Sequence, residues 1–274
     1  MMFIADGHLD LAFNAINLGR DQRLSLAELR GKKWKRPFPG QPTVSIPALQ
    51  AGGVGLVFGV IYVVPATAPD FLHLNGLFYS DAQEAHKLGM AQLDYYHRLA
   101  DEVAGVQLVR DTSELQAVLD SHADDESEPL LGIVPLLEGA DPVREPEELE
   151  MWVERGLRIV GPAWDDTRYS PGKWRGGGNM PAEGQRLLEM VEEFGLILDV
   201  THMGETAVEQ ARERFGGQVI ASHANVRQLV PGARQLADRQ IVQLGERGGV
   251  IGIALANPLL TAQHRYGEHK QLVT

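Results

Sequence analysis

The chain has 274 residues, of which 44% are hydrophobic and 23% charged, so it is long enough to bury the core of one barrel-sized globular domain. Its net charge of −12 disfavours binding to a nucleic-acid backbone, and no apolar stretch approaches the roughly 20 residues of a membrane helix. The absence of cysteine excludes disulfides and leaves histidine, aspartate and glutamate as the metal ligands. We expect a cytoplasmic protein, because the first predicted strand begins near residue 3 and leaves no room for a signal peptide.

Apolar runs alternate with helical patterns along the chain. We predict strands at 3–9, 54–63, 130–138, 157–164, 196–202, 218–223 and 249–255, with a short extra strand at 106–109. Helices are predicted at 24–29, 47–53, 80–103, 145–155, 183–194, 205–214 and 235–247, and Asp111 opens a further one. This alternation is typical of βαβ units and a parallel sheet.

Metal-capable side chains stand at the ends of four of these strands: His8, Asp10, Glu138, His202 and His223. Alternate residues of a strand share a face, so His8 and Asp10 should point the same way, together with Asp6. Any one of these side chains alone is better explained as a hydrogen-bonded histidine or a helix-capping carboxylate. Their repetition favours a metal site, and three imidazoles with two carboxylates suit one or two cations such as zinc.

The positions of these residues indicate an α/β fold of the (β/α)8 TIM-barrel type, in which active sites gather at the carboxyl ends of the strands. An open, doubly wound sheet is the alternative, but it would not bring the ends of the first, third, fifth and sixth strands around one point. We therefore expect residues 1–274 to form a single barrel domain from which the eighth strand is missing.

Several motifs together resemble the membrane (renal-type) dipeptidase family, peptidase family M19, of the amidohydrolase superfamily. They are Asp6-Gly-His-Leu-Asp10, the Leu-Glu138-Gly turn, Leu198-Asp-Val-Thr-His202-Met and Ser222-His223-Ala-Asn. Arg234, followed by Leu236-Ala-Asp238, is similar to the family's Arg-Asn-x-x-Asp stretch, with Gln235 in place of Asn. The resemblance runs from residue 3 to about residue 255.

This resemblance implies a zinc-dependent dipeptidase with a binuclear centre of two Zn²⁺ ions. His8 and Asp10 would hold one ion, His202 and His223 the other, and Glu138 would bridge them as the catalytic carboxylate. The metals would share a hydroxide that attacks the amide bond of a dipeptide. Family members are often dimers, so a homodimer is also expected, with a small molecule as the substrate.

Three further residues are predicted to contact substrate. Arg234 would bind the terminal carboxylate of the dipeptide, and the alternative for it is a surface salt bridge with Asp238. Trp164 and Arg168 occupy the region where better-known members have a substrate-contacting histidine. Trp164 would form a wall and Arg168 would supply a polar contact. This departure keeps lactone or cyclic-amide hydrolysis open as an alternative reaction.

The family's eighth strand carries an aspartate, in a Ser-Asp-Phe-Asp-Gly-like motif, that passes a proton to the leaving amine. No such motif precedes Thr274. A barrel lacking one strand would expose two strand edges, so we expect the 274 residues to be a piece of a longer protein. A metal-binding scaffold without catalysis is the alternative if the chain ends at Thr274.

Overall fold

The computed structural model describes residues 3–32, 40–68, 73, 76–123, 128–175 and 177–262. The strands are β1 (Ile4–Leu9), β2 (Val54–Tyr62), β3 (Val106–Leu108), β4 (Leu131–Glu138), β5 (Ile159–Gly161), β6 (Ile197–Asp199) and β7 (Val219–Ile220). The helices are α1 (Leu11–Leu18), α2 (Leu26–Gly31), α3 (Ile46–Ala51), α4 (Ala82–Glu102), α5 (Thr112–Ala123), α6 (Leu149–Glu154), α7 (Ala182–Glu193), α8 (Glu205–Arg214), α9 (Asp238–Glu246) and α10 (Asn257–Leu260). The chain divides into two compact units, an N-terminal unit of residues 1–159 and a C-terminal unit of residues 160–274.

A parallel sheet forms the centre of the N-terminal unit. β2 pairs with β1 on one side and with β4 on the other, and β3 pairs with the first three residues of β4. All eight residues of β4 are buried, as its continuous apolar run predicts for a strand covered on both faces. The register pairs Leu9 with Gly59 and Tyr62 with Glu138, so β1 and β4 end at the same edge of the sheet.

Helix α4 packs against this sheet through the fully buried side chain of Tyr96. The Tyr96 hydroxyl donates to the carbonyl of Val60 at 2.7 Å and accepts from the backbone N–H of Ala12 at 3.3 Å. One side chain therefore ties α4 to β2 and to the start of α1. This bond satisfies a buried hydroxyl that would otherwise destabilise the core.

In the C-terminal unit, β6 and β7 pair in parallel, with Leu198 opposite Val219 and Asp199 opposite Ile220. The strand predicted at 249–255 is reduced to a single parallel bridge between Ala221 and Ile251. Asn225 explains the difference, because its side-chain amide bonds both the N–H and the carbonyl of Ala254. The Asn225 side chain thus replaces the next backbone hydrogen bonds that a longer strand would make.

Most predicted elements are confirmed, but β5, β6 and β7 each end three residues before their predicted carboxyl ends. Helices α1 and α10 were missed by the sequence analysis. The sequence analysis expected the eighth strand to be missing from the chain. The residues after 262 lie outside the described part of the chain. That expectation, and the prediction of one barrel domain over 1–274, stay predictions.

Candidate metal centre

The end of β1 supplies two metal-capable side chains, as the alternation of strand residues predicts. His8 lies within β1 and Asp10 directly follows it, and the His8 Nε2 and Asp10 Oδ2 atoms are 3.7 Å apart. The backbone N–H of His8 donates to the Asp6 carboxylate at 3.0 Å, so Asp6 stabilises the end of the strand. His8 and Asp10 are therefore placed so that one cation could contact both.

Glu138 is the last residue of β4, and its carboxylate oxygen Oε2 lies 3.8 Å from the Nε2 atom of His8. The side chain of Glu138 is buried, and Gly139 turns the chain away from the strand with a φ of 79°. Two atoms that bind one zinc ion at about 2.1 Å lie roughly 3–4 Å apart. The His8–Glu138 separation fits that requirement.

His202 and His223 converge in the C-terminal unit. Their Nε2 atoms are 3.0 Å apart, and the two ring centroids are 4.9 Å apart. Neither residue lies within a strand, because each follows its strand by three residues in a turn. Two imidazole nitrogens at this distance either share a hydrogen bond or bind a common cation.

Asp199 is buried beneath the turns that carry this histidine pair. Its carboxylate accepts hydrogen bonds from the backbone N–H groups of Thr201 and Ser222, at 3.1 and 3.0 Å. The two hydroxyls also bond it, each at 2.5 Å. This cluster was not identified from the sequence, although a hydroxyl residue directly before each histidine was its signal.

Arg234 is buried against the same turns, so the alternative of a surface salt bridge is wrong. Its guanidinium donates to the carbonyl of His223 at 2.8 Å and to that of Thr201 at 3.3 Å, and one nitrogen lies 3.3 Å from Nε2 of His202. The structure thus brings a permanent positive charge next to the histidine pair.

Aromatic side chains line His202. The ring of Trp164 lies 6.4 Å from that of His202, and the ring of Trp174, missed by the sequence analysis, lies 6.0 Å from it. Trp174 is 57% exposed, so this wall borders solvent. Arg168 is exposed and lies over the ring of Tyr169, which leaves its predicted substrate contact untested.

Burial shifts the pKa of two charged groups, Asp10 at the end of β1 and Lys173 beside His202. It raises the pKa of Asp10 to about 6. Burial, helped by the positive charges of Arg234 and Arg227, lowers the pKa of Lys173 to about 7. The backbone N–H of Lys173 donates to the carbonyl of His202 at 2.9 Å, so this lysine belongs to the surroundings of the histidine pair.

The donor set fits zinc. It consists of imidazole nitrogens and carboxylate oxygens, and the chain has no thiolate that could compete for the metal. The paired Nε2 atoms of His202 and His223 and the His8–Glu138 pair have separations suited to common ligands of a cation.

The profile of the family described as Membrane dipeptidase (Peptidase family M19) matches residues 1–271. The chain belongs to Peptidase family M19. The resemblance expected from its motifs is thereby confirmed. The description of the family, together with a solved structure described as a dipeptidase and metallopeptidase of family M19, supports a metal-dependent hydrolase.

Individual M19 relatives differ in how much of their length the chain covers. An uncharacterized protein in the PQQ-III 3′ region of Acinetobacter calcoaceticus is 28% identical over 218 residues, which are 74% of this chain and 67% of that protein. Dipeptidase 3 of Mus musculus is 21% identical over 265 residues, which are 94% of this chain and 48% of that protein. The chain thus spans about two thirds of the length of the first relative and about half of the length of the second.

A crystal structure of a metallopeptidase from Rhodobacter sphaeroides, liganded with a phosphinate mimic of the dipeptide L-Ala-D-Ala, matches with a TM-score of 0.76 at 21% identity. The match covers 95% of this chain and 76% of that one. It confirms the predicted α/β fold of the TIM-barrel type found in M19 dipeptidases.

Among the described residues, no helix is both long and apolar enough to cross a membrane.

Proposed function

We propose that this M19 protein is a zinc-dependent dipeptidase that binds two Zn²⁺ ions. Family membership supports metal-dependent hydrolysis. The observation that carries the choice of residues is the 3.0 Å approach of the Nε2 atoms of His202 and His223. In a metallopeptidase, such a pair is best explained as two ligands of one ion.

The proposed ligands divide into three roles. His202 and His223 would hold one ion, and His8 with Asp10 would hold the other. Glu138 would be the ligand shared by the two, since a carboxylate has two oxygens and its Oε2 lies 3.8 Å from the Nε2 atom of His8. When bound, a pair of zinc ions supplies the attacking water in ionised form near neutral pH and polarises the carbonyl of the scissile amide.

The substrate contacts belong to the C-terminal unit. Arg234 binds the carboxylate of the dipeptide, because its guanidinium is buried and held by two backbone carbonyls. Trp164 and Trp174 pack against the substrate side chain, and Arg168 supplies a further polar contact. A cytoplasmic location and a homodimer stay predictions from the sequence.

The proposal is tested by measuring hydrolysis of L-Ala-L-Ala, L-Ala-D-Ala and a lactone panel by the purified protein, before and after treatment with a chelator. The D-containing dipeptide is included because its mimic is bound by the related Rhodobacter sphaeroides enzyme. We expect dipeptide hydrolysis that the chelator abolishes and zinc restores. Turnover of lactones in preference to dipeptides would favour the alternative reaction, and the absence of any chelator-sensitive hydrolysis would contradict the proposal.

A histidine exchange tests the ligand assignment. We expect His202→Ala to lower kcat/KM at least 10²-fold and to reduce the bound zinc, because one ion loses a ligand. His97→Ala is the matched control, since His97 lies on α4 and contacts the carbonyl of Arg155 at 2.9 Å. Zinc content is measured by mass spectrometry, and equal zinc and activity in the two variants would refute the assignment.

A further inference from the structure

The cluster beneath His223 has a fixed direction of hydrogen bonding. Ser222 and Asp199 are 4% and 3% exposed, so neither exchanges these bonds freely with water. The Ser222 hydroxyl donates its single proton to Oδ2 of Asp199 at 2.5 Å, because the carboxylate oxygen is the acceptor of this bond. The Thr201 hydroxyl likewise donates to Oδ1 of Asp199.

This direction determines which ring nitrogen of His223 carries a proton. Nδ1 of His223 lies 2.9 Å from the Ser222 hydroxyl oxygen. Since the proton of that hydroxyl is committed to Asp199, its oxygen accepts, and Nδ1 must be the donor. Nε2 of neutral His223 then has no hydrogen, and its lone pair points towards Nε2 of His202, 3.0 Å away.

The backbone around Ser222 is held from two further sides. The backbone N–H of His223 contacts the Thr201 hydroxyl at 3.4 Å, and the carbonyl of His223 accepts from Arg234. A Cβ atom added to Gly252 would lie 1.9 Å from the carbonyl oxygen of Ser222, so the chain passes directly against this residue. The serine hydroxyl is therefore kept in one place relative to both of its partners.

We propose that Asp199 and Ser222 are positioning residues that hold His223 in the Nδ1-protonated form and so keep its Nε2 ready to bind a metal. This inference rests on the proposed role of His223 as a zinc ligand. Neither residue touches metal or substrate, and both act through His223. Such partners of a metal-binding histidine orient the ring and raise its affinity for the ion.

Two substitutions test the proposal in opposite ways. Ser222→Ala removes the acceptor of the Nδ1 proton and should weaken zinc binding about 10–100-fold. Asp199→Asn should reverse the direction of these hydrogen bonds. The side-chain oxygen of the new asparagine would keep the three donors of Oδ1, so its amide NH₂ group would face Ser222 and donate to the Ser222 hydroxyl. The hydroxyl proton of Ser222 would then point towards Nδ1 of His223. We expect this change to move the proton of His223 to Nε2 and to weaken zinc binding more than Ser222→Ala does.

Zinc affinity is measured by competition with a chromophoric chelator. Ser45→Ala is the matched control, because Ser45 is also a fully buried serine but lies in the N-terminal unit, and it should leave the affinity unchanged. Ser222→Thr retains a hydroxyl and should restore most of the affinity. Zinc affinities of Ser222→Ala and Asp199→Asn within twofold of the wild type, in folded protein, would overturn the inference.

The second measurement uses metal-free wild-type protein, so it does not depend on whether a variant folds. In chelator-treated wild-type protein labelled with ¹⁵N-histidine, two-bond ¹H–¹⁵N spectra should show His223 with a protonated Nδ1 and an unprotonated Nε2. The opposite tautomer, or a rapidly exchanging mixture, would overturn the inference. If the wild type bound no zinc, the proposed function would fail, while this spectrum would still decide the tautomer.

Discussion

Thr201 and Ser222 each stand directly before a histidine, and both give their hydroxyl protons to Asp199. The sequence predicted that Asp199 lies in a strand over 196–202. It could not predict the partner of Asp199, because the bond to Ser222 depends on the register between β6 and β7. The sequence thus predicted which residues lie at the strand ends, but not the hydrogen bonds that hold them in place.

Lys173 gives a prediction at this scale. Its ammonium is buried and has no hydrogen-bond partner among the described residues, and its pKa is lowered from 10.5 to about 7. The unfolded chain therefore binds more protons than the folded chain between about pH 7 and pH 10.5, so the free energy of unfolding should rise with pH over this window. We expect Lys173→Met to stabilise the protein at pH 7 by on the order of a few kcal/mol and to remove most of this rise.

Urea unfolding of metal-free protein at pH 7, 8.5 and 10 measures the effect. Lys87→Met is the control, because Lys87 is exposed on α4 and should keep the wild-type pH dependence. The same pH dependence in Lys173→Met and wild-type protein would contradict the assigned burial of this charge.

At the scale of elements, β4 shows how a strand end places a side chain. The apolar run over 130–138 predicted the strand, and Glu138 ends it as expected. The strand predicted at 249–255 was wrong in extent, because Asn225 takes over the backbone groups of Ala254. Asn225 is distant in sequence from this segment, and hydrophobic pattern contains no information on such a contact.

Gly139 allows a prediction about this strand end. Its φ of 79° lies in the left-handed region, which disfavours any residue with a Cβ atom. We expect Gly139→Ala to destabilise the protein by about 1–2 kcal/mol and to lower zinc affinity through displacement of Glu138. Chemical unfolding and chelator competition provide the two measurements.

Gly245→Ala is the paired variant. Gly245 lies in helix α9, and an added Cβ atom would meet nothing within 4 Å. This change should be neutral or stabilise the protein by up to about 1 kcal/mol. Equal destabilisation by the two substitutions would show that the backbone angle of Gly139 is not the cause.

At the scale of the whole molecule, zinc should bind the folded chain far better than the unfolded chain. Free zinc at 100 times its Kd would then raise the free energy of unfolding by about 2.7 kcal/mol. Because each of these variants lacks one proposed ligand, His8→Ala and His223→Ala should each reduce this gain. Thermal unfolding with zinc and with chelator measures it, and a Tm unaffected by zinc would contradict the proposed centre.

The sequence by itself determined the family, the α/β class and the residue types capable of binding metal, because each of these depends on local pattern and on short motifs. The tertiary structure decided which atoms meet: Nε2 of His202 with Nε2 of His223, Glu138 with His8, and Asp199 with Ser222. It also revealed Trp174 beside His202 and the burial of Arg234. Such contacts join residues far apart in the chain, and only strand register and packing bring them together.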